Sequence, residues 1–278
     1  MSAAAPGDTT PNPAAVSFDH IAIAVEQITD PWPVFADALG GRYRDRGVSA
    51  GFGWTQLRFA NGFVIEGIHP ESGADFLRRF LDRSGPGPHH LTFTVPDLQA
   101  TIDALAAAGI GVVGEDRHDP TWMEAFVHPT EAHGIVVQVA ENSVAAPPEQ
   151  DPPEGFPLLP FDHPIAALGR VVHAVADLPG ALVLFRDVLG GRVTASGAAV
   201  DGNHWVELSW GGPGRLRLLE AVHGDLAGWL DGRPGRLRHL YFSFDEPATV
   251  PGATKVAEGR WVVESVCGTR LVVSSTAR

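Results

Sequence analysis

The stretch "GPHHLTFTV", residues 87–95, alternates after His90: Leu91, Phe93 and Val95 take one side and Thr92 and Thr94 the other, with His90 on the threonine side. A second stretch, "HIAIAV" at 20–25, sets His20 with Ala22 and Ala24 on the face opposite Ile21, Ile23 and Val25. Two further ligand-type side chains lie on later strand-like runs, Glu66 in "GFVIEGIH" and Gln138 in "GIVVQVA". Histidine, carboxylate and amide oxygen are donors for a divalent cation. Taken singly, each has an ordinary reading. A strand histidine is more often a satisfied core residue, and Glu66 could face solvent from an edge strand. Buried among Val64, Ile65 and Ile68, however, a carboxylate is costly unless paired or bound to metal. The two histidines occupy equivalent places in an internal repeat, and Glu66 and Gln138 occupy equivalent places on its last strands. A pseudo-twofold pairing of the repeats would bring all four together.

That pairing needs a particular set of elements. After "HLTFTV" comes "DLQATIDALAAAGI", with Leu98, Ile102, Leu105 and Ala106 at helical spacing. Short alternating runs follow each helix, "WTQLRFA" and "GFVIEGIH" in the first set, "GVVGE", "MEAFVH" and "GIVVQVA" in the second. Each unit therefore reads strand–helix–strand–strand–strand. A longer repeat overlies this one. "VFADALGGRY" begins at Val34 and "LFRDVLGGRV" at Leu184, each reading as a helix end stopped by Gly-Gly and followed by a strand. The proline-dense "AAPPEQDPPEGFPLLPFDHP", 145–164, reads as a stiff linker between the halves. The expected organisation is a disordered tail over 1–15, a metal-binding module over 16–142, a linker over 143–166 and a degenerate module over 167–278.

Composition bounds the function. The 278 residues carry a formal charge of −13, which argues against nucleic acid and anionic membranes as partners. The single cysteine, Cys267, excludes a disulfide framework and cysteine-rich metal sites. The N-terminus lacks a signal-peptide pattern and no apolar run is long enough to span a bilayer, so a cytoplasmic protein, monomer or homodimer, is expected.

The first half resembles the vicinal oxygen chelate superfamily of glyoxalase I, methylmalonyl-CoA epimerase, extradiol dioxygenases and antibiotic-binding proteins. The local likeness to the epimerase runs through "FLRRFLDRSGPGPHHLTFTVPDLQATIDALAAAGI" and "VHPTEAHGIVVQVAE"; it covers about residues 17–141 well and 167–278 more loosely. The resemblance implies an α+β fold of two tandem modules, each a curved, mostly antiparallel eight-stranded cup of paired βαβββ units. It implies one divalent metal (Zn, Ni, Co, Mn or Fe(II)) held by His20, Glu66, His90 and Gln138, with His89 pointing the other way. It also implies a small substrate with two neighbouring oxygens, an enolate-like charge stabilised by Lewis acidity, and isomerase or lyase chemistry.

The sequence departs from that family at two places. The last-strand glutamate of the epimerase is Gln138 here, an amide and no base. The epimerase's other catalytic glutamate falls near Ala50, with no Asp or Glu between Asp45 and Glu66. Glu66 is then the expected catalytic carboxylate. His20, His90 and Glu66 also make a mirrored facial triad, so an Fe(II) dioxygenase is the alternative, and a non-catalytic small-molecule binder the second. In the second half the His20 position is Arg170, expected to pair with Glu220 at the Glu66 position; His239 matches His90 and Ser274 matches Gln138. His173 reads as a core histidine. Gln56, Arg58 and Trp122 are expected to touch substrate, with His118 on the rim.

Overall fold

The computed structural model describes residues 15–49, 51–73, 75–143, 150–199 and 201–276. The expected tail to residue 14, the base position near Ala50 and linker residues 144–149 lie outside the described residues.

The first module consists of β1 (Ser17–Ala24), β2 (Arg42–Ser49), β3 (Phe52–Arg58), β4 (Val64–Pro70), α1 (Asp75–Ser84), β5 (Gly87–Val95), α2 (Leu98–Ala107), β6 (Val112–Asp116), β7 (Trp122–Val127) and β8 (Val136–Asn142). Its sheet order is β2-β3-β4-β1-β5-β8-β7-β6. At the centre β1 and β5 run antiparallel, and each is flanked by a parallel partner, β4 and β8. The second module repeats this with β9 (Ala167–Val175), α3 (Leu178–Leu182), β10 (Arg192–Ala198), β11 (His204–Ser209), β12 (Arg215–Glu220), α4 (Gly224–Leu230), β13 (Gly235–Ser243), β14 (Thr254–Ala257), β15 (Arg260–Val266) and β16 (Thr269–Ser274), in the order β10-β11-β12-β9-β13-β16-β15-β14. The expected α+β architecture of two tandem eight-stranded modules is the one observed.

The local signals act as read. Both Gly-Gly stops follow π-helical turns, Trp32–Ala38 and Val183–Val188, closed by Leu39 N–H to Val34 O and Leu189 N–H to Leu184 O. Gly40 and Gly190 then take φ of 72° and 69°, left-handed values that favour glycine. The Asp97 side chain caps α2 by accepting from Ala100 N–H.

The apolar strand faces of both sheets form one core. Phe18 stacks on Phe93 at 4.8 Å and meets Phe63 at 4.9 Å within its own module, and Trp210 of the second at 5.9 Å. Phe242 returns the contact at 5.2 Å from Phe59. Each fully buried ring stabilises by ~2–3 kcal/mol, so the modules are joined by a core and not by a polar seam. The linker also departs from a free spacer. The Arg42 guanidinium donates to Leu159 O and Pro160 O, and Phe156 packs between Trp32 and Tyr43, so the chain straps the outer edge of β2.

Candidate metal centre

Strand register builds the site in two rows across the first sheet. One runs Gln56–Glu66–Ala22–His90 over β3, β4, β1 and β5; the next runs His20–Thr92–Gln138 over β1, β5 and β8. Ala22 stands between Glu66 and His90 and presents only a methyl group, so both side chains lean over it toward His20. Ligand atoms of His20, Glu66 and His90 lie within 4.8 Å of one another, and all three residues are buried. Glu66 Oε1 is 3.5 Å from His20 Nε2 and 3.9 Å from His90 Nε2.

Two nitrogens and one oxygen, all borderline or hard donors in a dry cup, fit a divalent cation. The surroundings fit it too. Asp19 Oδ2 accepts from His20 Nδ1 at 2.7 Å, which leaves Nε2 for the cup. The second Glu66 oxygen, Oε2, accepts from Gln56 Nε2 at 2.8 Å, and Gln56 Oε1 accepts from Arg44 at 2.9 Å. Burial disfavours a charge on His20, but Glu66 and Asp19 outweigh it and raise the imidazole to about 9. Burial pushes the Asp19 carboxyl up, but the His20 hydrogen bond and the His20, Arg44 and Arg58 charges outweigh it and leave it below the usual range. His90 is pushed well down by burial and by the neighbouring histidines, which keeps a lone pair available. The positive charge that a proton brings to the His20–Glu66 pair is the charge a cation would bring.

Three expectations need correction, and Gln138 has side-chain partners of its own. His89 does not turn away from His90. A β-bulge after Ala22 adds one residue to β5 and breaks the alternation, so the two Nδ1 atoms meet at 2.9 Å while His89 also packs on Phe80 of α1. Gln138 is tied up. The Thr92 hydroxyl donates to its Oε1, Thr92 Oγ1 lies 2.9 Å from His20 Nε2, and Gln138 Nε2 donates to Glu124. It stands one hydroxyl away from the triad. Glu66 is not the only carboxylate at hand. Glu124 Oε2 accepts from both Gln138 and Trp122 Nε1, and burial raises its carboxyl above the ordinary value. Arg170 pairs with Glu207 at 2.7 Å and not with Glu220, which bonds His204 instead.

The last correction follows from register. Ala22 is opposite Glu66 as Val172 is opposite Arg217, so Arg217, not Glu220, holds the Glu66 place. By the same pairing Glu207 replaces Gln56, and Val272, not Ser274, replaces Gln138. Arg170 and Arg217 share the Glu207 carboxylate and stack over Tyr241 and Trp205. The second cup holds cations of its own where the first holds metal donors, and arginine has no lone pair to give.

The other expected contacts are mixed. Gln56 supports Glu66. Trp122 orients Glu124. Arg58 is exposed at the end of β3, and its charge acts on Asp19. His118 is almost fully exposed, bonded to Asp116. His173 is a core histidine, as expected, with Nε2 bonded to His133 O at 2.7 Å and Nδ1 buried without a partner among the described residues. Asp19, Thr92 and Glu124 were missed. Thr92 could have been found from its place beside His90; Asp19 could not, because alternation assigns it to the opposite face until the bulge between Phe18 and His20 is known.

Residues 19–126 match the family model described as the Glyoxalase/Bleomycin resistance protein/Dioxygenase superfamily. Over 132 residues the chain is 27% identical to the uncharacterized protein YqjC of Bacillus subtilis, covering 44% of this chain and 90% of that one. A triple mutant of 4-hydroxymandelate synthase from Streptomyces coelicolor superposes with TM-score 0.63 at 15% identity over 95% of this chain and 94% of its own, a likeness of fold across both modules. Methylmalonyl-CoA epimerase from Mycobacterium tuberculosis matches at 25% identity and TM-score 0.43, over 46% of this chain and 89% of that one. No helix among the described residues is long and apolar enough to cross a membrane.

Proposed function

We propose that the first module, whose residues 19–126 match the glyoxalase/bleomycin resistance/dioxygenase family model, is a metal-dependent enzyme that moves a proton on a small substrate with two neighbouring oxygens. The observation that carries this reading is the convergence of His20, Glu66 and His90 within 4.8 Å. A divalent cation held there would supply Lewis acidity, stabilising negative charge on the substrate oxygens as an adjacent proton leaves. Glu66 serves as ligand through Oε1 while Gln56 fixes its other oxygen. Asp19 holds the His20 tautomer.

Glu124 is the proton acceptor in this reading, in place of Glu66. Both its described donors go to Oε2, which leaves Oε1 for a substrate C–H. The carboxylate takes the proton from carbon and returns it to a neighbouring carbon or to the opposite face, so the net change is an isomerisation or epimerisation. Gln138 links Glu124 to Thr92 and hence to His20, and holds the base at the edge of the triad. The test is metal-dependent exchange of solvent deuterium into a panel of hydroxy-ketones, 2-oxo acids and acyl thioesters. Glu124→Gln should cut exchange ~10²–10⁴-fold with metal content unchanged. Full exchange in that variant would refute the assignment.

A second reading is favoured by one observation: with Gln138 engaged elsewhere, the ligand set is two histidines and one carboxylate, the facial triad suited to Fe(II) oxygen chemistry. Substrate-dependent oxygen uptake by the Fe(II)-loaded protein, insensitive to Glu124→Gln, would select it.

A further inference from the structure

Beside the metal centre lies a cleft of about 1310 Å³ walled by both modules. His89, whose ring touches His90, and Glu124, bonded to Gln138, line its inner end. Six arginines line it as well: Arg79 and Arg83 from α1, and Arg233, Arg236, Arg238 and Arg270 from the second module. Its acidic residues are Asp116, Glu124 and Glu264. Arg270 pairs with Glu264, but Arg79, Arg83, Arg233, Arg236 and Arg238 form no ion pair among the described residues. The concentration is notable in a chain of net charge −13.

The arrangement is built, not scattered. Arg79 and Arg83 are four residues apart on α1 and share a face. Arg236 and Arg238 are two apart on β13 and share a face, both guanidinium groups lying over Trp229, at 4.8 and 4.9 Å from its ring centroid. Like charges at that spacing repel, and the indole π-system, with the Glu264 charge acting on Arg238, offsets the repulsion. The floor is fixed where the modules touch backbone to backbone. A Cβ at Gly134 would collide with Gly235 O, and one at Gly268 would collide with Pro86 O. The cleft therefore exists because a second module, with no His/Asp/Glu metal cluster among its described residues, stands beside the first.

We infer that this cleft binds the multiply charged oxyanion tail, phosphate or carboxylate, of the substrate whose oxygen-bearing head meets the metal centre. This rests on the metal-enzyme reading. Guanidinium groups recognise both oxyanions through paired N–H donors. Arginines on two facing walls exceed what a single monovalent carboxylate would neutralise, which selects a tail of two or more charges. The second module is thereby a substrate-binding half, its arginines facing the first module's catalytic residues.

The experiment is calorimetric binding of pyrophosphate, and in parallel of succinate, to metal-free full-length protein, with metal binding measured separately. Tighter pyrophosphate binding identifies a phosphate tail and tighter succinate binding a dicarboxylate; both support the site. Arg236→Gln/Arg238→Gln and, on the other wall, Arg79→Gln/Arg83→Gln should each weaken the preferred anion at least tenfold, and 0.5 M salt should weaken it in the parent protein. His90→Ala should lose metal and keep the anion. Failure of both anions to bind, or binding unchanged in both double variants, would overturn this inference and leave the metal reading standing. Absence of metal binding with anion binding intact would overturn the metal reading, and with it the assignment of the cleft to a substrate tail.

Discussion

Asp19 Oδ2 lies 2.7 Å from His20 Nδ1, on a bulge that turns two successive residues of β1 into a carboxylate–imidazole pair. In the proposed metal site the pair would be a ligand and its orienting partner in a single dipeptide. Asp19→Asn removes the charge while keeping the size. Metal affinity should fall ~10–100-fold, the usual loss for an outer partner of a ligating histidine. Competition with a coloured chelator measures it; unchanged affinity would mean that His20 needs no such partner or is not a ligand.

At the triad and its Gln56 support the second cup carries Arg170 for His20, Glu207 for Gln56 and Arg217 for Glu66, with His239 already in the His90 place. Arg170→His/Glu207→Gln/Arg217→Glu should therefore create a second metal site and raise the stoichiometry by about one equivalent per chain. Elemental analysis of the folded variant decides it. Unchanged stoichiometry with native circular dichroism would show that the two cups are not superposable in the way their strand pairing indicates.

The fold was legible because its signals are local and doubled: alternating strands, the Gly-Gly stops, and two copies of each. The triad was legible because His20, Glu66 and His90 sit on regular alternation. What failed was what alternation does not encode. Two bulges moved Asp19 and His89 to faces the period assigns elsewhere. The Arg170 partner was misassigned because "LRLLE" offers two charged residues three apart, Arg217 and Glu220, and only the pairing of β12 with β9 says which lies inward. Glu124 was passed over because its place depends on β7 being two strands from the triad in space.

His173 gives a pH prediction. It is fully buried where β9 meets the first module, donating to His133 O, and burial lowers it to about 4. The unfolded chain binds its proton near the ordinary value of 6.5, so its contribution to stability is intact above pH 6.5 and is lost as pH falls toward 4. The full loss is ~3 kcal/mol. His173→Gln, which can still donate to His133 O, should flatten the urea-unfolding free energy between pH 7 and pH 4.5 relative to the parent. An identical pH slope in both proteins would show that the buried imidazole does not stay neutral.

In the proposed function one cup, through His20, Glu66 and His90, holds one divalent cation. The direct measurement is metal content after equilibrium titration of the parent protein, Glu66→Ala and Gln138→Leu. The parent should hold about one equivalent, Glu66→Ala should lose at least 100-fold in affinity because the carboxylate of the triad is gone, and Gln138→Leu should hold a near-parental equivalent, since Gln138 lies one hydroxyl from the triad. No bound metal in the parent, or an undiminished equivalent in Glu66→Ala, would contradict it.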